Sequence, residues 1–200
     1  SDAPSVIKKS LPDNFIFYPA QFWLHKNHAR IIHAIQLVKL KYSIQIPIVF
    51  VGSNSGNYRE GREIVFSNVI RLAKQLDVSD LVHYYGYVDD KEMPALYKSA
   101  TALVMPTFFG PTNIPILEAW SFECPVITSD IPGVREQVGK AGVLVKPDCV
   151  ENLAASIYRI WVDEIFRNRL KKEGSLRINQ IPQPDYHLLI QLLSSTLSTL

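Results

Sequence analysis

Apolar residues run along this chain in short unbroken blocks, separated by longer stretches in which they return every three or four positions. NFIFY at residues 14–18 is the first block, stopped by Pro19. IPIVFV closes a second at residues 46–51, and further blocks lie at 81–85, 102–105, 125–128 and 142–145. Blocks this short, without polar alternation, predict strands buried on both faces. The periodic stretches predict helices over 27–42, where Ile31, Ile32, Ile35, Leu37 and Val38 repeat, and over 59–76, where Ile64, Val65, Ile70 and Leu72 do. Shorter helices are expected over 89–99, with Asp89 at the N-terminal end, over 113–122, and around 133–138. After Val150 the pattern is helical, over 151–162, 163–173 and 186–197. Strands alternating with helices imply an α/β domain, a Rossmann-like parallel sheet with helices on both faces. Residues 1–13 read as a linker or N-terminal extension, and 14–200 as the domain with its C-terminal helices.

In such a sheet ligands bind beyond the carboxyl ends of the strands. The loops to inspect are therefore 19–26, 52–57, 86–90, 106–112 and 129–132, and they hold nearly all the unusual residues. In MPTFFGPTNIPILEAWSFECP, residues 105–125, Gly110 and Pro111 turn a strand into a helix that Thr112 can cap. The Asn113 and Ile114 amides would lie free at its first turn, an anion site by helix dipole and open donors. Glu118, one to two turns on, is placed to accept from sugar hydroxyls. The same residues also fit an ordinary βα turn with a solvated glutamate. YPAQFWLHKN, residues 18–27, presents Gln21, His25 and Lys26. A lysine at a helix start opposes the dipole, which a bound phosphate would explain; a surface lysine packed on Trp23 is the plainer reading. Gly86, Tyr87 and Val88 form a tight aromatic turn able to face a flat base.

Composition narrows the chemistry. A net charge of +2 over 200 residues gives no reason to expect a nucleic-acid partner. Cys124 and Cys149 have neither CxxC nor metal spacing, and they read as isolated thiols in or near the core of a protein from a reducing compartment. The histidines do not pair in a metal arrangement, although His25 and His28 share one helix start. GxGxxG, GxxxxGK[ST] and GxSxG are absent, which counts against a dinucleotide oxidoreductase, a P-loop protein and a triad hydrolase. No run approaches the roughly 20 apolar residues of a membrane span.

Taken in order, YPAQFWLHKN, VGSNSG, VHYYGYVDDKEMPALYKSATALVMPT, PTNIPILEAWSFECPVITSD and GVREQVGKAGVLVKP resemble the C-terminal domain of retaining GT-B glycosyltransferases of the group 1 family, GT4, from about Phe15 to Glu173. The resemblance implies transfer of a sugar from a nucleoside-diphosphate sugar to a sugar or lipid-linked acceptor, with no cofactor and no metal. It also implies a missing N-terminal GT-B domain, and a cytoplasmic protein, at most peripheral at the inner membrane face. Lys26 matches the family lysine that neutralises the leaving diphosphate, and Gln21 stands where the family has arginine. Gly86, Tyr87 and Val88 match the segment beside the nucleobase. Glu118 matches the second glutamate of the EX7E motif, expected on the ribose. The first falls at Gly110, so Thr112, Asn113 and Ile114 would form a backbone cradle instead. These two departures leave open a distinct subgroup or a non-catalytic nucleotide-sugar-binding module.

Overall fold

A computed structural model describes residues 11–54, 61–110 and 113–180. Six strands are present among the described residues: β1 (Ile16–Pro19), β2 (Ile48–Val51), β3 (Val82–Tyr84), β4 (Ala102–Met105), β5 (Val126–Ser129) and β6 (Val143–Val145); β1, β2, β4 and β5 are buried as the unbroken apolar blocks require, while β3 and β6 are largely half-buried. All neighbours pair in parallel, in the order β3-β2-β1-β4-β5-β6. Phe17 stands beside Val49 on one side and Leu103 on the other, so β1 is the centre of the sheet. Thr128 and Ser129 are the polar residues of the fully buried β5, and the Thr128 hydroxyl donates to Met105 O at 3.1 Å.

Among the described residues seven helices accompany the strands, the first five connecting them and the last two following β6: α1 (His28–Tyr42), α2 (Gly61–Gln75), α3 (Met93–Ser99), α4 (Ile114–Ser121), α5 (Val134–Val138), α6 (Val150–Val162) and α7 (Glu164–Gln180). The strand order grows leftward through α1 and α2 and rightward through α4 and α5, so right-handed crossovers set the two groups on opposite faces. α6 returns to α1, where Tyr42 and Tyr158 stack with centroids 3.7 Å apart, and α7 lies on α4. Strand order reverses between β1 and β4. The crevice above those two strands is the expected ligand position.

The elements depart from expectation in four places. The stretch expected as plain loop before α1 ends in a separate 3-10 turn, Leu24–Lys26, with Lys26 before the helix as expected. α2 buries Val69 and Ala73, with Val65, Phe66, Leu72 and Leu76 beside them, whereas Ile64 is 57% exposed. α3 begins at Met93, because Pro94 suits a first turn and Asp89 instead closes the preceding one. Asp89 O accepts from the Glu92 and Met93 amides, and its carboxylate accepts from Lys91 N. α7 continues to Gln180, past the expected end at Glu173. The helix expected over 186–197 lies outside the described residues.

Gly174 explains how α7 comes so close to α4. A Cβ at this position would stand 2.4 Å from Cδ1 of the buried Trp120, whose indole donates to Ala141 O. Gly174→Ala is expected to destabilise the fold by about 1–3 kcal/mol through overpacking. A urea midpoint equal to wild type would refute this.

Candidate functional site

The carboxyl ends of β1, β2 and β3 are tied together by backbone. Ala20 N donates to Val51 O at 2.8 Å, Gly52 N to Gly86 O at 2.8 Å, and the Tyr84 hydroxyl to Gly52 O at 2.9 Å. Gly86 is buried in that stitch and Val88 packs against the core. Tyr87 between them is 80% exposed, leaving an aromatic ring standing at the rim.

The loop from Ala20 to Asn27 holds Gln21 and Lys26. Gln21 is exposed, and its side-chain oxygen accepts the Trp23 indole N–H at 2.9 Å. Lys26 is half-buried, and burial draws its pKa below the ordinary lysine value. None of the ion pairs among the described residues involves it. Its backbone is held firmly: Tyr18 Oη donates to Lys26 O at 2.8 Å, while His25 O accepts from Thr107 Oγ1 at 3.0 Å and from Phe108 N at 2.8 Å. The loop after β1 is thereby fastened to the loop after β4.

His28, next along, is a core residue. It stacks on Phe22 with centroids 4.2 Å apart, and Nε2 lies 3.3 Å from Ala20 O. Burial pushes its pKa down to about 3, with smaller downward contributions from Lys26 and His25. Such a ring is neutral and donates to Ala20 O. Among the described residues no cluster of His, Cys, Asp or Glu is able to hold a metal.

Beyond β4, α4 opens with Asn113 in extended conformation as its N-cap residue. The Asn113 side chain is not a cap; its amide reaches back 3.5 Å to Gly110 O. No described residue accepts from the Asn113 or Ile114 amide, Pro115 has no amide hydrogen, and Ile116 N is taken by Asn113 O. Ile114 is 65% exposed. The helix thus opens with a short run of unpartnered donors at its positive end. Thr112, the expected cap, lies outside the described residues. Glu118 is one turn on, and its Oε2 accepts from Tyr97 Oη at 2.7 Å. Burial, then the Glu118 contact, raises the Tyr97 pKa well above its ordinary value, so the phenol stays protonated and donates.

Lys26 and the Asn113–Ile114 turn therefore follow neighbouring central strands, and their loops are hydrogen-bonded to each other. Glu118 lines a cleft of about 370 Å3 between α3 and α4 with Asp90, Met93 and Tyr97. A second hollow of about 720 Å3 is lined by His25, Asn27, Val65, Val69 and Phe108. Sequence reasoning missed Tyr97 and Asn27, since both act on residues distant in the chain. Of the two thiols, Cys124 is buried, with its pKa pushed up to about 12 by burial. Cys149 is only half-buried and accepts from Asn152 N as the cap of α6.

The family profile described as glycosyl transferases group 1 matches residues 2–177. O-antigen chain mannosyltransferase B of Escherichia coli is 28% identical over 155 residues, 78% of this chain and 39% of that protein. Sucrose-phosphate synthase from Thermosynechococcus elongatus superposes with a TM-score of 0.80 at 24% identity, over 95% of this chain and 47% of that one. Anabaena HepE, solved in complex with UDP-glucose, gives 0.76 at 20% identity, over 94% and 50%. These two structures share the fold, and in each case the present chain spans half or less of the protein it matches. With the profile covering most of its length, the chain belongs to the glycosyl transferases group 1 family.

Proposed function

We propose that this chain is the donor-binding domain of a retaining glycosyltransferase. It moves a sugar from a nucleoside-diphosphate sugar to an acceptor hydroxyl in polysaccharide or glycoconjugate synthesis. The observation that carries the reading is the pairing of an ammonium without a described carboxylate, Lys26, with the open amides of Asn113 and Ile114 on adjacent strand ends at the switch point. Both are suited to a diphosphate, whose charge grows as the sugar leaves, and preset donors stabilise such charge without reorganising. No metal is required where these groups supply the compensation. Gln21 adds a neutral hydrogen-bonding group beside the cation. Glu118 takes the ribose hydroxyls, with Tyr97 fixing one carboxylate oxygen, and Gly86, Tyr87 and Val88 lie along the base. In this reading Gly110, Thr112, Asn113 and Ile114 cradle the phosphates or the sugar through backbone. Groups that orient the acceptor belong to a second domain. Its presence is in keeping with the 39% of the mannosyltransferase that this chain spans, and with the UDP-glucose in the HepE structure.

Binding of UDP and GDP, measured by calorimetry, tests this. Lys26→Ala is expected to weaken affinity by about 1.5–3 kcal/mol, the loss of a charge-assisted contact. Lys39→Ala is the control, since Lys39 lies roughly 17 Å down α1 from His28 and pairs with Asp77. Equal effects of the two, or no binding by wild type, sink the site. Gly110, without a carboxylate, is the observation favouring a non-catalytic binding module. Sugar transfer by this domain joined to its partner domain would exclude it.

A further inference from the structure

Asn27 adopts the left-handed conformation, φ 59°, between the 3-10 turn and α1. Its side-chain nitrogen donates to Pro106 O at 2.9 Å and to Pro147 O at 2.8 Å, partners 79 and 120 positions away. Pro106 follows β4 directly and Pro147 comes shortly after β6, so each carbonyl has just left the sheet and needs a new donor. The residue type follows from that demand. Glycine would take φ 59° more easily but has no side chain, and aspartate tolerates it but cannot donate. Asparagine tolerates it and brings two N–H groups on one atom. Both hydrogens are used, and Asn27 is buried.

We infer that Asn27 is a positioning residue. By pinning the loops after β4 and β6 to the end of the loop after β1, it fixes the Lys26 backbone relative to the open amides before Ile114. The neighbouring bonds act in the same sense: Tyr18 holds Lys26 O, and Thr107 with Phe108 holds His25 O. Lys26 thus projects from a backbone immobilised on both sides, and a cation set before the ligand arrives binds with less loss of freedom. This role rests on the phosphate-binding reading of Lys26; the clamp itself does not.

Asn27→Gly tests the clamp, because it keeps the backbone conformation and removes both hydrogen bonds. Hydrogen exchange on the 200-residue chain should rise at least about tenfold at two amides, Phe108 N, which bonds His25 O, and Cys149 N, which bonds Lys146 O, while the β1 interior stays protected. UDP affinity should fall roughly two- to tenfold. In the Lys26→Ala background the same substitution should change affinity by less than about twofold, since it acts through the lysine. Asn27→Asp, which sets a carboxylate against two carbonyl oxygens, should deprotect these amides at least as much. Wild-type protection in either variant, or an undiminished loss in the Lys26→Ala background, overturns the role of Asn27. A wild-type chain that binds no nucleoside diphosphate overturns the functional reading instead.

Discussion

Acidification from pH 6.5 to 4.5 is expected to remove about 2–3 kcal/mol of folding free energy through one side chain, His28. The ring is buried against Phe22, Tyr18 and Phe50 and donates through Nε2 to Ala20 O, while Nδ1 has no partner. Taking up a proton there would bury a cation beside aromatic carbon. The folded pKa is therefore about 3, against 6.5 for the free side chain. Between those values the unfolded chain holds the extra proton, so the contribution is intact above pH 6.5 and is lost progressively as the pH falls toward 3. Over the whole window the loss is on the order of 4 kcal/mol, a large share of a typical domain's stability. His25 and His33 are shifted the same way by burial, but they are more exposed and weigh less. Urea titrations at pH 6.5 and 4.5 on wild type and His28→Phe provide the check. The variant gives up the Ala20 hydrogen bond and starts lower, yet its stability should change far less between the two pH values. Parallel losses would show that the histidine is not the acid-labile group.

Gly52→Ala is expected to cost about 3 kcal/mol or more, among the largest effects of any single methyl group in this fold. Gly52 has φ +140°, a region that side chains strain to enter. An added Cβ would stand 2.5 Å from Ala20 O, 2.7 Å from Ala20 C and 2.9 Å from Gln21 N. All three are backbone atoms, so no rotamer change relieves the contact. The loop after β1 must move, and with it the His28 and Val51 bonds to Ala20. Gly139→Ala is the matched control, because its φ of +53° is also positive but nothing lies within 4 Å of the added atom. That variant should lose about 1 kcal/mol. If the two lose stability equally, backbone conformation alone is at work and the close approach of Ala20 is irrelevant.

What was legible in the sequence and what was not divide along one physical line. Strand identity was readable because a parallel sheet buried on both faces leaves an unbroken apolar block, as at Ile48–Val51 and Ala102–Met105. The loops that matter were readable as well, because strand ends in such a sheet face the ligand crevice. Contacts between sequence-distant groups were hidden. Nothing local says that Asn27 reaches Pro106 and Pro147, or that Tyr97 donates to Glu118. Local competition also blurred boundaries: Pro94 took the first turn of α3 and left Asp89 to close a separate turn. Ile64 misled because a helix that is apolar over much of its girth does not announce which side faces the sheet. The sequence shows only that His28 shares a helix start with His25, and its aromatic surroundings identify it as core.

Since β1 lies between β2 and β4, the first of the described strands acquires its second neighbour late. Its pairing with β2 needs only the intervening helix, but the pairing of Phe17 with Leu103 waits until more than eighty residues have been threaded through α2, β3 and α3. Closing so long a loop before any contact repays it makes such arrangements slow to assemble. During synthesis the left half, β1 to β3, is complete while one side of its innermost strand still shows bare amides and carbonyls, and that interval is when this protein is most exposed to pairing with the wrong chain.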